Sequence, residues 1–294
     1  MSLAHKVAFE IINKQKHSYV KGEDFDYSKN RLNEKKNIKE IPSDVECVKD
    51  EFGEYLSCKN NPKDKIIYYI HGGGFCFGSS ASKRMFTVYV ARELHYNIYT
   101  VDYRLAPEFP YPNGLNDCVL GYLRLLNEYG SENIGIVGES AGGNLIVALV
   151  LELNKKKISL PKKIVLISPT LQYVEATKSY IDNNETDCMV DGNTFIQEIQ
   201  DVYLKTNDIN LLKTADYSPL FGDFSNFPKT YLIVSDSEVL YDDAVRFKER
   251  MDFYKRDCQI DVYHNLMHAF PIITYFKESR KALKKVKKFL DTEK

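Results

Sequence analysis

The sequence predicts an α/β protein with a mostly parallel central sheet, helices on both faces and a helical cap. From about Lys65 onward, short β-branched and apolar runs alternate with segments of helical periodicity, the pattern of right-handed crossovers that build a parallel sheet. The alternation is broken once, over about residues 172–220, by a Tyr/Asp/Asn-rich segment that reads as an inserted cap. Around residues 134–153 a strand-like run stops at Gly138 and a helix-like run begins at Ala141, so Ser140 sits where a strand turns sharply into a helix. The expected organisation is an N-terminal helical arm, 1–40, contributing to the cap, and a main domain, 41–294, carrying the insertion.

The elements follow from periodicity. Leu3, Val7, Ala8, Ile11 and Ile12 share one helical face, and a Lys/Asn/Glu-rich segment runs on to about Lys39. Val45–Lys49 and Glu54–Cys58 alternate around Phe52-Gly53, which predicts an antiparallel hairpin. Strands are expected at Lys65–Ile70, Asn97–Asp102, Ile134–Val137, Lys163–Ser168, Lys229–Ser235 and Gln259–His264. Between them fall helices at Ala81–His95, Gly114–Tyr129, Ala141–Leu153 and Val239–Tyr254, with a last one at about Tyr275–Leu290. The insertion is expected to hold one amphipathic helix, about Asn193–Leu204. In the last helix Ala282, Leu283, Val286, Phe289 and Leu290 turn inward and the lysines outward, as on a solvated face.

Composition narrows the function. Forty Lys+Arg against 41 Asp+Glu leave a net charge of −1, which gives no footprint for nucleic acid or an anionic surface. No stretch reaches the roughly 18 apolar residues of a membrane span, and Lys6 and Glu10 interrupt the N-terminal apolar run, so a cytoplasmic protein without an integral membrane segment is expected. The six cysteines show no Cys-x-x-Cys spacing and no paired histidines, so neither a metal nor any other cofactor is expected and the thiols read as free. Cys76 lies in a glycine-rich loop, where buried filler is its expected role.

The chemistry centres on Gly138-Glu139-Ser140-Ala141-Gly142, the spacing of a nucleophile elbow, in which glycines on either side relieve crowding between strand and helix. A serine hydroxyl is a poor nucleophile at neutral pH and needs a general base, which in turn needs an acid to fix its tautomer. With an elbow of this kind the chain order is Ser, acid, His. Of the six histidines only His264 and His268 follow the last candidate acid, and His268 falls in the loop beyond a strand's C-terminal end, where open α/β sheets place their sites. His71-Gly72-Gly73-Gly74-Phe75, directly after a buried strand, can aim backbone N–H groups at a developing oxyanion, and the Ala141 amide can add another.

Taken together, HGGGF (71–75), DYRLAPE (102–108), GESAGG (138–143), SPL…EVLYDD (218–243) and MHAF (267–270) resemble the hormone-sensitive-lipase-like esterases and lipases of the α/β-hydrolase superfamily, from about Ile66 to the C-terminus. The resemblance implies the α/β-hydrolase fold, with Ser140 as nucleophile, His268 as base and Gly73, Gly74 and Ala141 as oxyanion donors. It makes His71 structural and residues 102–108 a buttress in which Arg104 pairs with nearby carboxylates. The acid departs from the family's commonest Asp-x-Leu-x-Asp-Asp/Glu pattern: the register of Leu240 and Asp242 puts Glu238 in the aspartate's place, with Asp236 as competitor. An extra methylene lets a glutamate reach the histidine from a slightly retracted backbone, which favours Glu238.

The expected function is a serine carboxylesterase acting on short-chain, uncharged carboxylic esters through an acyl-enzyme, with a small-molecule ester as its partner and a homodimer as a compatible assembly. An amidase or formamidase could use the same triad, and a non-catalytic small-molecule receptor could use the same fold. The receptor has no need of Ser140, Glu238 and His268 together and in order. Phe75, Phe77, Tyr173, Tyr180, Met189, Phe195 and Tyr203 are the apolar residues that could wall a pocket, most of them being expected in cap core.

Overall fold

The structure, a computed structural model, describes residues 3–18, 26–35 and 38–292. Eight strands form one sheet in the order β1-β2-β4-β3-β5-β6-β7-β8, where β1 is Val45–Lys49, β2 Gly53–Cys58, β3 Ile66–Ile70, β4 Asn97–Val101, β5 Ile134–Glu139, β6 Lys163–Ile167, β7 Lys229–Ser235 and β8 Cys258–Tyr263. The first hairpin is antiparallel and β2 joins β4 antiparallel; every later neighbour is parallel. The central strands β3 and β6 are buried at every position, which is why they read as continuous apolar runs without alternation.

Because side chains alternate across the sheet, each strand feeds two cores. Tyr68, Ile136, Leu166 and Leu232 pack under α4 (Asn113–Tyr129), α5 (Ala141–Lys155) and α9 (Tyr241–Phe253). Tyr69, Val137, Val165 and Ile233 face α3 (Arg84–Tyr89) and α10 (Lys277–Asp291) on the other side. The helix expected over Ala81–His95 is built of three pieces: a 3₁₀ turn at Ala81–Lys83, then α3, then a π turn at Val90–Leu94 that ends on left-handed His95.

Over this body lie two further parts. The N-terminal arm contributes α1 (Leu3–Ser18) and α2 (Tyr27–Lys35), the second an element that its polar composition concealed; residues 19–25 of the arm lie outside the described residues. The insertion holds α7 (Phe195–Ile199), which continues as a π turn over Gln200–Leu204, where one helix was expected. It also holds two short helices that periodicity did not reveal, α6 (Lys178–Asp182) and α8 (Ile209–Leu212), because four or five residues are too few to display a period. Arm and insertion meet: Lys16 Nζ donates to the carbonyls of Asn184 (2.6 Å) and Asp187 (2.7 Å). From α2, Arg31 Nε donates to Cys76 O at 2.6 Å and its guanidinium pairs with Glu108 at 2.9 Å.

One contact ties the sheet to its central helix. A Cβ on Gly142, in the first turn of α5, would lie 2.0 Å from the carbonyl oxygen of Ile70 at the end of β3. Gly142→Ala is therefore expected to lower the unfolding free energy by about 3 kcal/mol or more, the upper range for overpacking against immovable backbone, as measured by urea denaturation.

Candidate active site

The C-terminal ends of β3, β5, β6 and β7 converge on one place, and the loop after β8 closes over it. Ser140 occupies the step from β5 to α5 with φ 55° and ψ −120°, a conformation that a non-glycine residue holds only when its surroundings impose it. Its amide donates to Ile167 O (2.9 Å) and its carbonyl accepts from Asn144 N (3.2 Å), so strand β6 and helix α5 both grip the strained residue.

His268 lies in the loop after β8, nearly buried, with Nδ1 2.7 Å from Glu238 Oε2. Glu238 is fully buried, and its other oxygen accepts from Ser168 Oγ (2.8 Å) and from the Ser235 amide (2.6 Å). Burial alone would lower the His268 pKa. The hydrogen bond and charge of Glu238, with Asp187 and Glu139 further off, outweigh it and hold the imidazole above its ordinary 6.5. With Nδ1 committed to Glu238, Nε2 is the ring nitrogen left for the cavity that Ser140 and His268 both line.

Asp236 is placed elsewhere. Its Oδ2 is 2.6 Å from Nδ1 of His264, whose side chain is 80% exposed, and its Oδ1 accepts from the Asn265 amide. The structure thus pairs each of the two late histidines with its own carboxylate, and brings Glu238 to the one that faces the cavity.

The glycine loop is shaped from below by Glu139, the variable residue of the elbow pattern. One of its oxygens accepts the Gly72 amide (2.8 Å) and pairs with Lys83 Nζ (2.9 Å); the other accepts from Tyr69 Oη (2.5 Å). Gly72 N–H is thereby used, which leaves the next two amides, those of Gly73 and Gly74, along the cavity wall. Gly73 has φ 125°, and a Cβ there would come within 2.3 Å of Phe77 O, so only glycine fits. Ala141 opens α5, and its amide is among those a helix cannot satisfy internally.

His71 is buried beneath the loop, its ring stacked on Tyr103 at 4.3 Å and its Nδ1 2.9 Å from Gly72 O. The buttress is wired differently from expectation. Arg104 pairs with Asp117 on α4 (2.8 Å) rather than with a carboxylate of its own motif; Asp102 instead accepts from Ser80 N and Oγ, and Glu108 is taken by Arg31. Asp117 lies one turn after Asn113 on the facing helix, while both in-motif acids are held by other partners.

The cavity has a volume of about 470 Å³ and is walled by Ile12 of the arm, Phe77 of the glycine loop, and Met189, Val190 and Phe195 of the insertion. Cys76 and Cys188 also line it. Phe75, Tyr173, Tyr180 and Tyr203 do not: they are core, with Phe75 stacked flat on Tyr203 at 3.8 Å. Glu139, Lys83 and Ser168 belong to the site but were not singled out from sequence. Ser168 had a signal, a polar residue ending a buried strand at the sheet's C-terminal edge.

Among the described residues no helix is long and apolar enough to cross a membrane. The model of a family with the α/β-hydrolase fold matches residues 67–272. An "Esterase" of Acinetobacter venetianus is 31% identical over 229 residues, which cover 76% of this chain and 74% of that protein. "Esterase LipU" of Mycobacterium tuberculosis is 30% identical over 212 residues, 71% of each chain. Among solved structures, an esterase from the bacterial hormone-sensitive lipase family superposes with a TM-score of 0.88 at 24% identity, covering 99% of this chain and 98% of that one. The chain belongs to the α/β-hydrolase fold family.

Proposed function

We propose that the protein is a serine carboxylesterase that hydrolyses short-chain, uncharged esters, with Ser140 as nucleophile, His268 as general base and Glu238 as the orienting acid. The observation that carries this reading is the buried Glu238–His268 contact at 2.7 Å, which directs the free ring nitrogen toward the cavity shared with Ser140. The esterase names of the relatives at 30% identity or above support the same bond class.

In this reading Ser140 Oγ attacks the ester carbonyl while His268 Nε2 takes the hydroxyl proton. The oxyanion is met by the amides of Gly73, Gly74 and Ala141, a set of donors typically worth about 10²–10³ in rate each. His268 returns its proton to the departing alcohol, leaving Ser140 acylated; a water molecule, deprotonated by the same ring, then releases the acid and restores the hydroxyl. Glu238 stays ionised, holding the tautomer with hydrogen on Nδ1 and stabilising the transient imidazolium. Ser140 Oγ and His268 Nε2 must come within hydrogen-bond reach when substrate binds. A largely apolar cavity of about 470 Å³ is of ordinary small-molecule size, which supports small uncharged esters over triglycerides. The cysteines among the described residues, all free thiols, fit a reducing, cytoplasmic setting.

Only neutral His268 can accept the serine proton, so kcat/KM should rise with pH through the imidazole's pKa, and the acid limb should have its midpoint above 6.5. A midpoint below that value would contradict the assignment of Glu238. Glu238→Gln should lower kcat by about 10²–10⁴ and Asp236→Asn by less than about twofold, read in p-nitrophenyl butyrate hydrolysis. A panel of p-nitrophenyl esters should give its highest kcat/KM between acetate and butyrate; rates that climb toward long acyl chains would refute the substrate class.

A further inference from the structure

The loop carrying His268 lacks regular structure between β8 and the 3₁₀ turn Phe270–Ile272, so its shape depends on what its backbone amides find. Asn265 N–H donates to Asp236 Oδ1 (3.1 Å), Leu266 N–H to Ser235 Oγ (3.0 Å) and Ala269 N–H to Ser168 Oγ (3.2 Å). These acceptors all stand at or just beyond the ends of β6 and β7. The amide adjoining His268, that of Met267, donates instead across 262 positions of sequence to His5 Nε2, at 3.0 Å.

His5 is fully buried on α1, with its ring against Phe276 at a centroid distance of 4.7 Å. A backbone N–H can only donate, so Nε2 carries no hydrogen and the neutral ring holds it on Nδ1. Burial favours that neutral form by holding the pKa below its ordinary value, against the nearby charge of Glu278. Nδ1 is buried too and finds no hydrogen-bond partner among the described residues. A buried donor without a partner is unfavourable, so packing alone would select an apolar side chain at this position. What histidine adds is the acceptor for Met267.

We propose that His5 is a positioning residue for His268: by accepting the Met267 amide it adds a fourth acceptor to the three that hold the loop, so that the N-terminal arm sets the geometry of the base as well as walling the cavity. The inference rests on the reading of His268 as general base. It predicts a requirement for an acceptor at the place of Nε2, which His5→Gln can supply and the shorter amide of His5→Asn cannot.

The test is steady-state hydrolysis of p-nitrophenyl butyrate by the full chain and by His5→Asn, His5→Gln, His5→Leu and His268→Ala, with rates normalised to folded protein by near-ultraviolet circular dichroism. His5→Asn and His5→Leu should lower kcat about tenfold or more with KM changed less than about twofold, the signature of a misplaced catalytic group, and His5→Gln should recover kcat to within about threefold of wild type. The proposal is overturned if His5→Asn keeps wild-type kcat per folded molecule, or if Gln and Asn lose activity equally; this pair decides even where His5→Leu does not fold. An inactive wild type or an active His268→Ala would refute the reading of the site, whereas active wild type, inactive His268→Ala and unimpaired His5→Asn would refute the role of His5 alone.

Discussion

A carboxylate removed from water must be solvated by the protein around it, and the fully buried Glu238 meets that requirement with three donors from three parts of the fold. Ser168 comes from the end of β6, the Ser235 amide from the end of β7, and His268 from the loop after β8. None of these can move without stranding a charge. The same constraint gathers the ends of the strands into one crevice and sets the orientation of the imidazole, so the architecture of the sheet and the chemistry of the site are joined at this group.

The other half of the site is governed by crowding. β3 passes so close to the first turn of α5 that Gly142 admits no side chain, and Ser140 is held in a strained conformation at the crossing. Glu139, next to it, reaches under the glycine loop to take the Gly72 amide, and Lys83 neutralises that carboxylate from the turn before α3. One short segment thus presents Ser140 and shapes the loop of amides beside it. The arm and the insertion then bond to each other through Lys16 and wall the cavity over both halves.

Much of this was legible in the sequence because the relevant constraints are local. Continuous apolar runs marked the buried strands, and the glycines of GESAGG and HGGG marked places where backbone must approach backbone. The register of Leu240 and Asp242 pointed to Glu238, which the fold sets against His268, and geometry was needed to see Asp236 occupied by His264. What stayed hidden depends on long-range pairing. Arg104 had acids within its own motif, yet its partner Asp117 sits on the facing helix. The short helices α6 and α8 and the polar α2 lacked enough turns or enough apolar residues to show a period. His5 carried no signal of its own in the sequence, and only the fold brings it to Met267.

In the proposed function buried Glu238, acting through His268, makes Ser140 nucleophilic. The most direct measurement is the rate of covalent labelling by a fluorophosphonate, with the adduct located by mass spectrometry, in the wild-type protein and in Glu238→Ala, Asp236→Ala and His268→Ala. A single adduct on Ser140 is expected, forming rapidly in wild type and Asp236→Ala and slowed by about two orders of magnitude or more without Glu238 or His268. An adduct on another residue, or labelling of Ser140 at the wild-type rate in Glu238→Ala together with loss in Asp236→Ala, would contradict it.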